Sequence, residues 1–196
     1  MENDNDFNPQ QSLALIESMI NKAKDRFNEN GHLYLLWGWT VLLCSITHFV
    51  FLKFDVMKEP GRIWMLTWLT VAYQMVVLSK RKKEERIKTY TDEIRGYVWL
   101  AFVAMMFIMM FLMAKNELWD RTYSMFLVLY GMPTFLSGVL LRFRPLKVGG
   151  LICWLLAIVS AYVSNDNQLL LLALAVIAAW ITPGYLLRAK YKSETV

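Results

Sequence analysis

Few side chains in this sequence have the type and setting for chemistry. His48 is one of two histidines, and it stands alone three quarters of the way along an apolar run. An imidazole in such a place can carry a proton or hold a ligand, and just as readily serves as a packing or snorkelling residue. Cys44 and Cys153 each lie inside an apolar run, with no CxxC spacing and no histidine cluster nearby. That pattern points to small buried packing residues, not to a disulfide framework or a zinc site. Met105, Met106, Met109, Met110 and Met113 stack on one segment. Thioethers bind Cu(I), but no Met, Cys or His pair stands at an entry point, and adaptable packing accounts for them. No Ser-His-Asp, HExxH, Walker or Rossmann spacing occurs. The expectation is therefore a non-enzyme with no catalytic residue, no metal and no cofactor.

The remaining candidate is a cavity. Tyr130-Gly131-Met132-Pro133-Thr134-Phe135-Leu136-Ser137-Gly138 falls in the middle of an apolar run. Pro133 has no N–H to donate to the carbonyl of Leu129, so a kink is expected there, with Thr134, Ser137 or water satisfying the freed group. Broken helices of this kind line substrate sites in transporters. The candidate cavity thus comprises Tyr130, Pro133, Thr134 and Ser137, with Tyr73, Gln74 and His48 as further polar contributors. The plainer reading is a helix bending around its neighbours.

The elements that must position these residues follow from composition. Of 196 residues, 57% are apolar and 19% charged, too apolar for a soluble domain of this length. The net charge of +5 comes from Lys and Arg in short clusters between apolar runs, which are topology signals and not a nucleic-acid-binding face. Six runs approach the ~20 residues that a ~30 Å hydrocarbon core demands of a helix: Leu33 to Leu52, Ile63 to Ser79, Gly96 to Ala114, Thr122 to Leu141, Val148 to Ser164 and Gln168 to Leu187. None alternates as a barrel strand would. None carries Asp, Glu, Lys or Arg in its core, which argues against a proton-coupled carrier or a voltage sensor. The fold class expected is all-α, a six-transmembrane-helix bundle of three tandem hairpins over residues 32–196.

Sixteen Lys and Arg residues fall on the side of the N-terminus, the Ser79 to Arg95 loop, the turn with Arg142, Arg144 and Lys147, and the C-terminus. Five, namely Lys53, Lys58, Arg62, Lys115 and Arg121, fall on the other. The positive-inside rule places both termini in the cytoplasm. Tyr34, Trp37 and Trp39 then mark the inner interface, and Trp64 and Trp119 the outer one. Trp154 and Trp180 sit deeper, so their indole N–H groups need partners within the bundle. Gly149, Cys153, Ala157 and Ala161 form a small-residue stripe on the fifth run, facing Ala175 and Ala179 ahead of Pro183 on the sixth, which predicts a tight fifth–sixth hairpin. Gly138-Val139-Leu140-Leu141-Arg142 and Gly184-Tyr185-Leu186-Leu187-Arg188 repeat at an offset of 46, consistent with duplication or with a shared way of leaving the membrane.

Before the first run, residues 1–31 form a separate segment. Asn8-Pro9 and Gln11 open a helix and Asn30-Gly31 stops it. Leu13, Ile16, Met19, Ile20, Ala23 and Phe27 share one face. This amphipathic cytoplasmic helix, or the basic inner loop 80–95, is where a protein partner or the lipid bilayer surface is expected to be engaged. With the first apolar run beginning near Leu33, a cleavable signal peptide is not expected.

Tyr34-Leu35-Leu36-Trp37-Gly38-Trp39 following an amphipathic helix, together with Pro183-Gly184-Tyr185-Leu186-Leu187, resembles a group of small uncharacterised bacterial six-helix multi-pass membrane proteins. The resemblance implies a bacterial inner-membrane location and no particular chemistry. The function expected is interaction, sensing or regulation; the rival is a small-solute carrier or channel with its cavity at the kinked fourth helix.

Overall fold

A continuous apolar run can satisfy its backbone without water only as helix or closed barrel. The computed structural model describes residues 13, 31–84 and 90–195, and among them all regular structure is helical. The elements are α1 (His32–Lys53), a 3-10 segment (Pro60–Met65), α2 (Leu66–Glu84), α3 (Tyr90–Asn116), a 3-10 turn (Trp119–Arg121), α4 (Thr122–Leu140), α5 (Arg144–Ser160) and α6 (Asn165–Val176). A π-helical turn (Ile177–Ile181) then joins α6 to α7 (Thr182–Thr195), so that the two form one sixth rod. The amphipathic helix expected over 1–31 lies outside the described residues, apart from Leu13, which is helical and exposed, and Gly31.

Four helices are long and apolar enough to cross a membrane: His32–Lys53, Glu93–Asn116, Trp119–Leu140 and Asn165–Ser193. The second and fifth expected spans come out differently. The α5 helix starts at Arg144, before Val148, and its 17 residues reach about 26 Å, short of a ~30 Å core. Ile63 belongs to the 3-10 segment, so α2 begins at Leu66 and carries charge in its last turns to Glu84. The i,i+4 spacing of Glu84 and Lys88 leads one to expect the second helix to extend past its apolar run, and α2 does continue to Glu84; α3 starts at Tyr90, while residues 85–89 lie outside the described set.

The core belongs to α1, α4, α5 and the sixth rod, with Val41, Leu127, Leu146, Leu169, Leu172 and Val176 fully buried. Glycine allows these backbones to meet. A Cβ on Gly150 would stand 2.7 Å from Phe135 Cβ and 2.9 Å from the Gly131 carbonyl oxygen, so α4 and α5 approach backbone to backbone. The expected fifth–sixth contact exists too, since a Cβ on Gly149 would lie 2.6 Å from Ala179 Cα. The two glycines of the repeat meet different neighbours: Gly138 faces Leu146 and Lys147, whereas Gly184 faces Leu35 on α1.

Pro133 does not interrupt α4, which runs unbroken from Thr122 to Leu140. The Thr134 hydroxyl donates to the Tyr130 carbonyl at 2.8 Å, whereas Ser137 Oγ is buried without a partner. The departure from α geometry lies instead in the sixth rod. Pro183 offers no N–H to Ala179, and the Thr182 N–H bonds back five residues to the Ile177 carbonyl, closing a π turn.

By contrast α2 and α3 are peripheral. On α3 only Phe102 and Met113 are buried between Glu93 and Asn116, while Leu100, Phe107, Ile108, Phe111 and Leu112 are exposed. Apolar exposure on this scale suits a lipid-facing surface. Replacing Gly150 by Val should destabilise the protein by roughly 1–3 kcal/mol through overpacking. Gly96→Ala, where a Cβ meets nothing within 4 Å, should leave the thermal midpoint in detergent unchanged or raised. Equal midpoints for the two variants would contradict this packing.

Candidate functional site

Up-and-down connection of helices brings residues far apart in sequence to one end of the bundle. The end carrying the turns after α1, α3 and α5 collects a connected group of polar side chains. His48, 6% exposed, is its centre. The Trp64 indole N–H donates to His48 Nδ1 at 2.9 Å, and the Tyr123 hydroxyl lies 3.1 Å from the same nitrogen. Both rings stand edge-on to the imidazole, with centroids 6.4 and 6.1 Å away. Indole can only donate, so Nδ1 must offer its lone pair. His48 is therefore neutral here, with its proton on Nε2.

Beside it runs a second set of hydrogen bonds. Ser124 donates to Gln168 Oε1 at 3.0 Å, and the Ser160 hydroxyl lies 2.8 Å from Ser124 Oγ and 2.6 Å from the Ala157 carbonyl. Gln168 Nε2 donates to the carbonyls of Ser160 and Val163, each at 3.1 Å. Buried Gln168 thus ties α4, α5 and the turn before α6 together. Between the end of α1 and the start of α6 is a cleft of about 110 Å³ lined by Phe49, Lys53, Ser164, Asp166 and Asn167.

The residues singled out around Pro133 lie deeper along the bundle. Pro133, Thr134 and Ser137 are fully buried, and the Trp180 indole N–H donates to Thr134 Oγ1 at 2.8 Å. The Tyr130 ring lies 4.6 Å from that of Trp180. Trp154, the other deep indole, donates to the Val128 carbonyl at 3.2 Å. Both thus find the partners expected of them.

Tyr73 and Gln74 join neither His48 nor the Pro133 group. They belong to a ladder along the α1–α2 seam. Its rungs are His32 Nε2 with Tyr73 Oη at 3.3 Å, the Trp37 indole N–H to Gln74 Oε1, and Thr40 with Thr70 at 3.1 Å. The Cys44 thiol follows, 3.6 Å from the Ile63 carbonyl, and then His48 with Trp64. Of the described α2 side chains only Thr70 is buried. Polar rungs therefore hold α2 to the bundle where apolar packing does not.

No family model, curated protein or solved structure matches the chain. Its reading rests on these residues alone.

Trp64, Tyr123, Ser124, Ser160 and Gln168 were not singled out as a site in the sequence. The available signal was positional, since with alternating helix direction all of them fall near the same end as His48. No cluster of His, Cys, Asp and Glu able to hold a metal occurs among the described residues. Glu117 and Asp120, the acidic residues that would make His48 part of a catalytic set, are exposed, and the hydrogen bonds at His48 Nδ1 come from Trp64 and Tyr123. The arrangement can accept and hold a proton.

Gln168→Leu should destabilise the bundle by roughly 1–3 kcal/mol, because Ser124 and the carbonyls of Ser160 and Val163 lose a buried partner. Thermal unfolding in detergent measures this. An unchanged midpoint would mean that the network is replaced by water at no cost.

Proposed function

We propose that this chain is an integral membrane protein crossing the bilayer six times, with both termini cytoplasmic, that acts by contact and sensing and not by catalysis. The observation that carries this reading is the division of labour among its helices. A core of α1, α4, α5 and the sixth rod is locked by close backbone approach, while α2 is attached by a ladder of polar rungs. An element held by a few hydrogen bonds can shift against a core that cannot.

The 17-residue α5 and the charged-ended α2 complete the six crossings if the bilayer thins locally or flanking side chains snorkel, each at modest cost. The sixteen-to-five bias of Lys and Arg supports cytoplasmic termini. A bacterial inner membrane is the location implied by the resemblance of the Tyr34–Trp39 and Pro183–Leu187 segments. The partner surface in this reading is the segment 1–31 together with the basic stretch 80–95. The rival carrier reading has less to stand on, since Trp180 is hydrogen-bonded to Thr134 where the cavity would open.

Single cysteines at positions 58, 120 and 166, in a chain lacking Cys44 and Cys153, should react with an impermeant maleimide from outside intact cells. Cysteines at 84, 142 and 193 should react only after permeabilisation. A position 166 that is shielded as 142 is would remove the fifth crossing. Deleting residues 1–30 should leave the bundle inserted and abolish co-purification of a bound protein; retention of that protein would move the contact elsewhere.

A further inference from the structure

The chain has two histidines. Both are on α1, and they form the first and last rungs of the ladder to α2 and its leading 3-10 segment. Their partners differ in one respect that matters. Tyr73 Oη can donate or accept, so it can keep its hydrogen bond to His32 Nε2 whichever of the two supplies the proton. The Trp64 indole can only donate, so protonating His48 at Nδ1 sets two N–H groups against each other.

We propose that Trp64, His48 and Tyr123 form a proton-operated latch in which protonation of His48 transfers it from the α2 side of the bundle to the α4 side. In the neutral state Nδ1 accepts from Trp64 Nε1–H at 2.9 Å and from the Tyr123 hydroxyl at 3.1 Å. When a solvent proton is added at Nδ1, the new N–H donates to Tyr123 Oη, which turns its own hydrogen away and accepts. Trp64 then has no acceptor on His48. The Pro60–Met65 segment and the entry of α2 are then held to α1 at this end by the long Cys44 contact to the Ile63 carbonyl alone.

The charged groups around His48 favour this exchange on one side only. From α1 itself come the Cys44 thiol, one turn earlier, and Lys53, beyond the next turn. From the segment leading into α2 the charged groups are Lys58, Glu59 and Arg62, of which Glu59 and Arg62 pair with each other at 2.7 Å. At the start of α4 stand Asp120, Arg121 and Tyr123. At the start of α6 stands Asp166, the carboxylate whose charge reaches both His48 and Tyr123. An imidazolium here has its counter-charge at the start of α6, in Asp166, which lines the cleft beside Phe49 and Lys53. The device rests on the six-span reading only for its sidedness, which would make it answer to the medium outside the cytoplasm.

The test uses the full chain in detergent micelles, where both faces meet the same buffer, with 15N in the Trp and His rings. Between about pH 8 and about pH 4.5, the range around imidazole titration, the Trp64 indole N–H resonance should move in one step. Trp64→Phe identifies that resonance. The amides of residues 54–65 should lose exchange protection over the same step. In His48→Gln, whose amide oxygen accepts without titrating, the step should vanish. A flat wild-type profile, or the same step in His48→Gln, overturns the proposal. Should His48→Gln not fold, the His48 ring nitrogens of the unaltered chain decide it: loss of the Nδ1 lone pair must coincide with the Trp64 shift, and titration at different pH overturns the latch. In sealed vesicles acidified on one side only, a latch that answers from the cytoplasmic face would refute the six-span orientation while leaving the latch itself intact.

Discussion

Backbone-to-backbone approach between α4 and α5, made possible by Gly138 and Gly150, is the constraint on which the rest of the bundle depends. Hydrocarbon offers no hydrophobic drive for two apolar helices to associate, so contact must come from dispersion at short range, and a side chain at the crossing would remove it. Gly149 carries the same approach to Ala178 and Ala179, and Gly38 carries it from α1 to Trp180 and Ile181. Once those distances are set, Trp180 is near enough to α4 to donate to Thr134, and Gln168 is near enough to α5 to hold the Ser160 carbonyl. The buried polar bonds follow from the glycines.

The two peripheral helices attach by other means. The α3 helix leans on aromatic contacts, with Trp99 at 6.1 Å from Tyr34 and 6.5 Å from Trp180, and Phe102 at 6.0 Å from Tyr130. The α2 helix relies on its polar rungs to α1. Aromatic edge contacts tolerate sliding, whereas a hydrogen bond to one nitrogen does not. The periphery therefore combines a helix that can adjust by degrees with a helix that is either bonded or released.

Much of the helical layout was legible because continuous apolar runs broken by charge admit little else. The α1 and α4 boundaries fall within two residues of those expected, and the Gly149 to Ala179 contact was visible as spaced small residues. Less legible was the tighter pairing of α4 with α5. Gly131 and Gly138 read as companions of Pro133, and nothing local marks Gly131 as the seat of the Trp154 ring or Gly138 as the place where α4 meets the Lys147 backbone. The distortion was expected in α4 at Pro133 and is found ahead of Pro183, where the Thr182 N–H reaches Ile177. At Pro133 the Thr134 hydroxyl bonds to the preceding turn and helical geometry survives. Of the candidate residues, Tyr130, Pro133 and Thr134 do share one neighbourhood, while Tyr73, Gln74 and His48 proved to be rungs of a seam. A seam depends on which helix lies beside which, and that is a tertiary fact without a local pattern.

The ladder also bears on how the chain enters the membrane. Thr70, Tyr73 and Gln74 would each present a polar group to hydrocarbon if α2 were released into lipid by itself, and their partners on α1 would do the same. Delivered together, the two helices satisfy each other. The first hairpin thus pairs its own polar side chains, His32 with Tyr73, Trp37 with Gln74 and Thr40 with Thr70, before any other helix is needed to satisfy them.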